Sequence, residues 1–425
     1  MKQRVWLALV LILVICVTST LAQEDQVTLT VWHQFVDEDL EAWEPVKAAF
    51  EAANPNITIE DTAFNFEDLL DALTVALPAG EGPDVFYLDA SSAFLGNLVE
   101  SDLVVDLSPY LDERGWDAMF PWALEKTSVG GVPYGVGGFT EIIGVYYRAD
   151  LFEEMGLDAP TSWDAMAAAA DRAVEEGMIA FNFGGLEGWP IGQLCGTIMH
   201  SMVAIDTIGD IELLEGESTY NDHPQTVDAL AECQSWITER GWLPDDAVAV
   251  SYFDAQNDFA NGEGLMRVDG TWAVPAYEDS EFDIDFAVFP MKNAELAPQA
   301  EGGLSSTWII SNQTTELDAV LDLLDFVVFS DEANTIWMNN GFIPAVNFDT
   351  SGVETSPLLV ANLEGIDYVS TEGNGLGFWV FFITDPAVTD EALNGLGGLM
   401  LDAIDAEQLA DILSAAIELA REDRQ

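Results

Sequence analysis

Strand-like and helix-like stretches alternate from Val27 onward, and that order constrains the fold more than any other feature of the chain. Val27, Leu29 and Val31 alternate with Thr28 and Thr30, the period of a half-buried strand. Residues 37–53 place Leu40, Trp43, Val46, Lys47 and Phe50 at helical spacing and stop at Asn54-Pro55. Ile57 and Ile59 alternate again. Residues 66–77 return to helical spacing through Leu69, Leu70, Leu73 and Leu77, ended by Pro78 and Gly80. Pro83-Asp84 leads into Val85-Phe86-Tyr87-Leu88, a run that reads as a buried strand. A β-α-β-α-β order calls for an α/β layered domain with a mainly parallel sheet.

A second region, about 141 to 290, alternates less clearly. Helical spacing predicts helices over 161–177 (Trp163, Met166, Ala170, Val174), 224–240 (Val227, Leu230, Trp236, Ile237) and 317–329. A last helix over 401–420 lines up Leu401, Ile404, Leu409, Ile412, Leu413, Ala416 and Ile417 as a docking face. There is no tandem repeat and no low-complexity linker, so short crossings should join the units. A length of 425 residues suits two domains or one bilobed unit.

The charge narrows the partners. The chain carries 76 acidic and 12 basic side chains, a net −64, yet it is 49% hydrophobic with 13 Trp, 23 Phe and 9 Tyr. That aromatic content supports a large core and excludes an acidic disordered chain. A surface this negative repels phosphate backbones and anionic headgroups, which excludes nucleic acid and membrane-surface roles. Lysine occurs only at positions 2, 47, 126 and 292, so few carboxylates can be paired. Adaptation to a saline habitat and plain solubility both fit this surplus, and stability against salt separates them.

Lys2 and Arg4 precede an apolar run from Val5 to Val17, and Thr18 to Ala22 supply small residues before Gln23-Glu24-Asp25. Residues 1–22 therefore read as a secretory signal peptide cleaved near Ala22, which makes the mature chain extracytoplasmic, in the periplasm or at the cell surface. Ile15 ahead of Cys16 speaks against lipidation, with an uncleaved or lipidated anchor as the alternative. Losing Lys2 and Arg4 takes the charge from −64 to −66. Cys195 and Cys233 remain, either as a disulfide or as two buried thiols.

No G-x-S-x-G, P-loop, H-E-x-x-H or G-x-G-x-x-G pattern is present, and His33, His200 and His223 stand far apart. Metal ligation and a cofactor are not expected. Paired carboxylates carry no signal here, since 76 acids supply pairs everywhere. The tryptophans say more. Trp32, Trp116, Trp122, Trp189, Trp272, Trp308, Trp337 and Trp379 lie in or beside glycine-rich stretches such as Gly184-Gly185-Leu186-Glu187-Gly188-Trp189. A loop tryptophan can stack on the apolar face of a pyranose while carboxylates and amides meet its hydroxyls; ordinary core packing is the competing reading for each.

Several stretches together resemble the family 1 extracellular solute-binding proteins, the maltose- and multiple-sugar-type receptors of ABC importers. They are Thr30-Val31-Trp32-His33-Gln34-Phe35, Phe50 to Ile57, Leu77-Pro78-Ala79-Gly80 with Gly82-Pro83-Asp84-Val85, and Gly135 to Phe152 followed by Pro160-Thr161-Ser162-Trp163. Phe259 to Met266 with Gly270-Thr271-Trp272, Gly302-Gly303 with Trp308 to Ser311, and Gly341-Phe342-Ile343-Pro344 complete the set. Arg148, where the family usually has Asn, and Leu265, in place of a common Ala, depart from it. The resemblance implies a periplasmic-binding-protein type II-like α/β fold, with two lobes around a ligand cleft and hinge crossings. It places lobe one at 23–140 and 292–341, and lobe two at 141–291 and 342–425. It implies a monomeric receptor that passes a carbohydrate to membrane permease subunits of an ABC importer.

Carried over position by position, the resemblance assigns Glu141 to a carboxylate that bonds sugar hydroxyls. It assigns Trp272, and Trp379 or its neighbour Phe378, to stacking aromatics. Asp89, Glu187 and Trp189 resemble further ligand contacts, and His33, Gln34 and Asn65 are loop residues that could complete the site. Two other functions stay open from the residues alone: a receptor for a cationic solute such as a polyamine, and a secreted glycan-processing enzyme using paired carboxylates.

Overall fold

Five strands build the first sheet, in the spatial order Ile57–Ala63, Val27–His33, Val85–Asp89, Ser306–Ile310 and Gly135–Val136. The computed structural model describes residues 26–423 apart from positions 37, 38, 91, 215, 279 and 374. The signal peptide expected over residues 1–22 lies outside the described residues. The first three strands run parallel, with Leu29 opposite Ile59 and Val31 opposite Val85. Ser306–Ile310 enters antiparallel between Val85–Asp89 and Gly135–Val136. Val85 and Tyr87 face a core with Trp43, Phe50, Trp308 and Trp337, whereas Phe86 and Leu88 face Leu69, Leu73 and Leu77. A continuous apolar run is what a strand covered on both faces requires. Helix Leu40–Ala53 ends where Asn54 folds its N–H and its side-chain amide back on the Phe50 carbonyl. Helix Phe66–Ala79 starts at Asn65, whose side chain accepts the Asp68 N–H, and stops at Gly80 with φ +73°.

The second sheet is antiparallel throughout, unlike the first. Its centre is the long strand Thr140–Arg148. One edge pairs first with Gly302–Leu304 and then with Ile284–Val288; the other edge pairs with Met266–Gly270. Helices Trp163–Glu175, Trp189–Met202, Pro224–Thr238, Pro386–Met400 and Ala406–Asp423 cover one face through Met166, Leu194, Trp236, Leu396 and Leu413. Phe259, Tyr277 and Leu358 cover the other, against Phe286 of the sheet itself. The last helix begins at Ala406, not at 401: Leu401 is 65% exposed and Asp402 turns the chain with φ +55°. Among the described residues no helix is long and apolar enough to cross a membrane.

Cys195 and Cys233 form a disulfide between helices Trp189–Met202 and Pro224–Thr238, with Cα atoms 5.3 Å apart. It closes a separation of 38 residues, and a loop of that size restricts the unfolded chain by about 3–4 kcal/mol. The Cys195→Ser/Cys233→Ser protein is expected to lose stability of that order in urea titrations; an unchanged midpoint would show that the bond does not hold the helices together.

The chain passes between the lobes three times at one place. Phe139 N–H donates to Ser305 Oγ at 2.7 Å and Ser305 N–H to the Phe139 carbonyl at 2.9 Å. Thr140 N–H donates to Ile343 O at 2.6 Å, and Ala345 N–H to Gly138 O at 3.0 Å. Two expected boundaries move. Residues 292–304 sit with the second lobe rather than the first, because Asn293 and Gln299 bond the end of helix Trp189–Met202 and Gly302–Leu304 pairs with Thr140–Ile142. The second crossing is therefore at Ser305, not near Pro290. Phe342, Ala345 and Val346 still belong to the first core, and the chain regains the second lobe at helix Pro357–Thr371.

Candidate functional site

A cavity of about 320 Å³ lies between the lobes, beside the three crossings. Trp189, Tyr252, Trp272, Trp379 and Phe382 form much of its second-lobe wall. The ring centroids of Trp189 and Tyr252 are 4.5 Å apart, those of Trp272 and Trp379 5.9 Å. Local sequence explains how these rings are held. Gly188 starts helix Trp189–Met202 with φ +82°. Gly270 lies under the Trp272 ring, where an added Cβ would come within 2.0 Å of it. Only glycine lets that indole fold back toward its own strand.

The Tyr252 hydroxyl is the hub of this wall. It accepts from Trp272 Nε1 at 2.8 Å and Gln256 Nε2 at 2.9 Å, and donates to Asp269 Oδ1 at 2.8 Å. Asp269 is buried and also accepts from Arg267 Nε at 2.7 Å and from the Tyr277 hydroxyl at 2.8 Å. Burial and the Asp269 charge together push the Tyr252 hydroxyl well above its usual range, so it stays a neutral donor and acceptor. Glu187 Oε2 accepts the Tyr252 N–H at 3.0 Å, and Trp379 Nε1 donates to Leu304 O at 3.0 Å. The aromatic wall is thus pinned by polar contacts at its edges and leaves ring surface to the cavity.

The first lobe contributes Gln34, Phe35, Asp39, Asn65, Tyr87, Asp89 and Phe94, and the crossings contribute Phe139, Glu141, Ser305, Ser306 and Phe342. Gln34 Nε2 bonds Tyr87 O and Ser306 Oγ, each at 3.2 Å. The Tyr87 hydroxyl meets Ser305 Oγ at 2.8 Å. Burial raises the Glu141 carboxyl well above the carboxylate range, and the nearby Asp89 and Asp39 charges add to it. Its two oxygens can accept from hydroxyl groups.

Eight of the ten expected site residues line this cavity: Glu141, Trp272, Trp379, Asp89, Glu187, Trp189, Gln34 and Asn65. Two do not. His33 is fully buried behind the sheet, where Nε2 meets Asp61 Oδ2 at 3.1 Å, because it shares the inward parity of Leu29 and Val31. Phe378 turns away from the cavity, packing against Gly209 with Lys126 Nζ 4.4 Å from its ring centre. Of the other tryptophans, Trp116, Trp308 and Trp337 are core. Tyr87, Gln193, Tyr252 and Gln256 also line the cavity but carry no sequence signal of it. Tyr87 lies in a run that reads as plain core, and the rest sit on helices where a polar residue looks like a solvent face.

The sequence model of the bacterial extracellular solute-binding proteins matches residues 36–334. A binding protein of Brucella abortus is 24% identical over 304 residues, 71% of this chain and 72% of that one. The maltotriose-binding protein of Pyrococcus abyssi is 22% identical over 328 residues, 75% of this chain and 66% of that one. Among solved structures, a chitin oligosaccharide binding protein superposes with a TM-score of 0.82 at 22% identity, covering 93% of this chain and all of that one.

Proposed function

The chain belongs to the bacterial extracellular solute-binding protein family, and on that premise we propose that it captures a sugar or oligosaccharide between its lobes and delivers it to the permease subunits of an ABC importer. One observation carries this reading: indole faces of Trp189, Trp272 and Trp379 share a cavity with Asp89, Glu141, Glu187, Gln34 and Gln193. A pyranose has apolar faces and a rim of hydroxyls, and this wall offers both kinds of partner. Glu141, Trp272 and Trp379 are its main contacts. The relatives named above for maltotriose and chitin oligosaccharide support the same class. Trp32, His33, Phe378 and the buried tryptophans take no part.

The lobes act as rigid units that rotate about the crossings at Phe139, Ser305 and Ile343–Ala345, closing over the solute. The protein works as an extracytoplasmic monomer after removal of residues 1–22, and it performs no chemistry on the sugar. Thermal shifts with maltotriose, chitotriose, xylotriose and raffinose test this: a ligand at 100 times its Kd stabilises by about 2.7 kcal/mol. No shift with any sugar would count against the proposal, and product formation from any of them would replace it with an enzyme.

A second reading rests on charge. Asp39, Asp89 and Glu187 line the cavity, and no lysine or arginine does among the described residues, which favours a cationic solute such as a polyamine. Spermidine binding that weakens steeply with salt would support it, whereas sugar binding that ignores salt would exclude it.

A further inference from the structure

The segment that brings Trp379 and Phe382 to the cavity is irregular, and buried side chains hold its backbone. Gly377 N–H donates to Ala300 O at 2.8 Å, and Phe382 N–H turns back to Trp379 O at 3.0 Å. Between these ends three N–H groups donate to titratable side chains. Phe378 N–H meets His200 Nε2 at 3.3 Å, Val380 N–H meets Glu301 Oε1 at 3.1 Å, and Phe381 N–H meets Glu212 Oε2 at 3.1 Å. His200, Glu212 and Glu301 are each at most 1% exposed. Phe381 has φ +73°, a backbone conformation that a non-glycine residue keeps only when its surroundings enforce it.

Each acceptor is itself oriented from behind. His200 Nδ1 lies 3.1 Å from Gly196 O, which makes Nδ1 the donor and leaves Nε2 to accept. Thr197 Oγ1 donates to Glu301 Oε2 at 2.7 Å, and the Tyr220 hydroxyl donates to Glu212 Oε1. Glycines keep the space open: a Cβ on Gly196 would lie 2.4 Å from Glu301 Oε1, and one on Gly377 would lie 2.2 Å from His200 Nε2. Burying such groups without a cation is costly, and packing alone would be met as well by apolar side chains.

We infer that His200, Glu212 and Glu301 are positioning residues of the solute site, which act through the backbone of 378–381 to aim Trp379 and Phe382 into the cavity. The assignment of a solute to that cavity rests on the function proposed above; the anchoring itself does not. Burial pushes the Glu212 carboxyl up to about 7, with Tyr220 and the Phe381 N–H pulling the other way. Burial lowers His200 to about 4, and Lys126 is the charge that faces it. Glu301 is raised by burial, with Glu212 as its charged neighbour.

The test uses the mature protein labelled with ¹⁵N-phenylalanine and ¹⁵N-valine. The Phe381 amide resonance should titrate with a midpoint near 7, and Glu212→Gln should abolish that titration. In Glu301→Met, hydrogen exchange at Val380 should rise at least tenfold and Kd for maltotriose or chitotriose should rise about tenfold. Glu301→Gln keeps an acceptor oxygen and should stay within about threefold of the parent in both. A purely structural glutamate would lower melting temperature without this rescue pattern. A Phe381 amide indifferent to pH, together with unchanged Val380 exchange in folded Glu301→Met, overturns the inference. Should Glu301→Met fail to fold, the Phe381 titration and its loss in Glu212→Gln decide alone. If no sugar binds the parent, titration and exchange still decide the anchoring, and only the solute reading fails.

Discussion

Trp272→Ala is expected to weaken sugar binding by about 1–3 kcal/mol, a loss of roughly 5- to 150-fold, because a stacked ring buries apolar surface worth roughly 25 cal/mol per Å². The indole is held in place before any ligand arrives, by its Nε1 donation to Tyr252 and by the absence of a side chain at Gly270. No ordering cost is then left to binding. Trp379→Ala should act in the same range, and Glu141→Ala by a similar amount through the loss of charge-assisted or donated hydrogen bonds. Trp272 is only partly buried beside its core cluster, so the variant should stay folded. Calorimetric affinity and melting temperature must be measured together. A folded variant that binds as tightly as the parent removes Trp272 from the site.

The largest effect on stability belongs to Asp269→Ala, with an expected cost of about 3–5 kcal/mol. Asp269 is 3% exposed and Arg267 1%. Removing the carboxylate leaves the guanidinium buried without its ion-pair partner, although Asn182 Oδ1 still accepts from it at 2.8 Å. It also strips the Tyr252 and Tyr277 hydroxyls of their shared acceptor. The double variant Asp269→Leu/Arg267→Met should recover much of the loss, since two matched apolar residues leave no orphaned charge. Urea unfolding of both proteins checks this, and equal losses in the two would refute the ion-pair account. Sugar affinity should fall even in the stable double variant, because the Tyr252 hub loses its anchor.

Local patterns are enough for the three parallel strands of the first sheet. Alternation at Val27–Val31 and the run Val85–Leu88 mark strands on their own, and Asn54 and Gly80 stop helices by local chemistry. The crossing at Ser305 could not be read this way. It depends on Gly302–Leu304 finding Thr140–Ile142, a pairing between distant segments with no local trace. His33 teaches the opposite lesson: it shares the parity of Leu29 and Val31 and so points inward, against the loop position that the resemblance carries. In the cavity, Glu141 is legible only through family resemblance, which also singles out Trp272 and Trp379 from the loop tryptophans, for each of which burial odds alone favour core. Tyr252 had neither motif nor glycine context. Its role arises from what surrounds it in three dimensions.

The late arrival of Ser306–Ile310 has a consequence for biogenesis. This strand is one of three interior members of the first sheet, yet Tyr87 waits for Ser305 across 218 positions of chain. An amino-terminal segment emerging first from a ribosome or an export channel lacks the strand that would seal its sheet. The first stretch of second-lobe sequence, residues 140–304, must follow before the missing piece appears. Such long-range closure gives slow folding from high contact order. For a chain of an extracellular binding-protein family, the wiring itself keeps the first sheet open until most of the polypeptide is available.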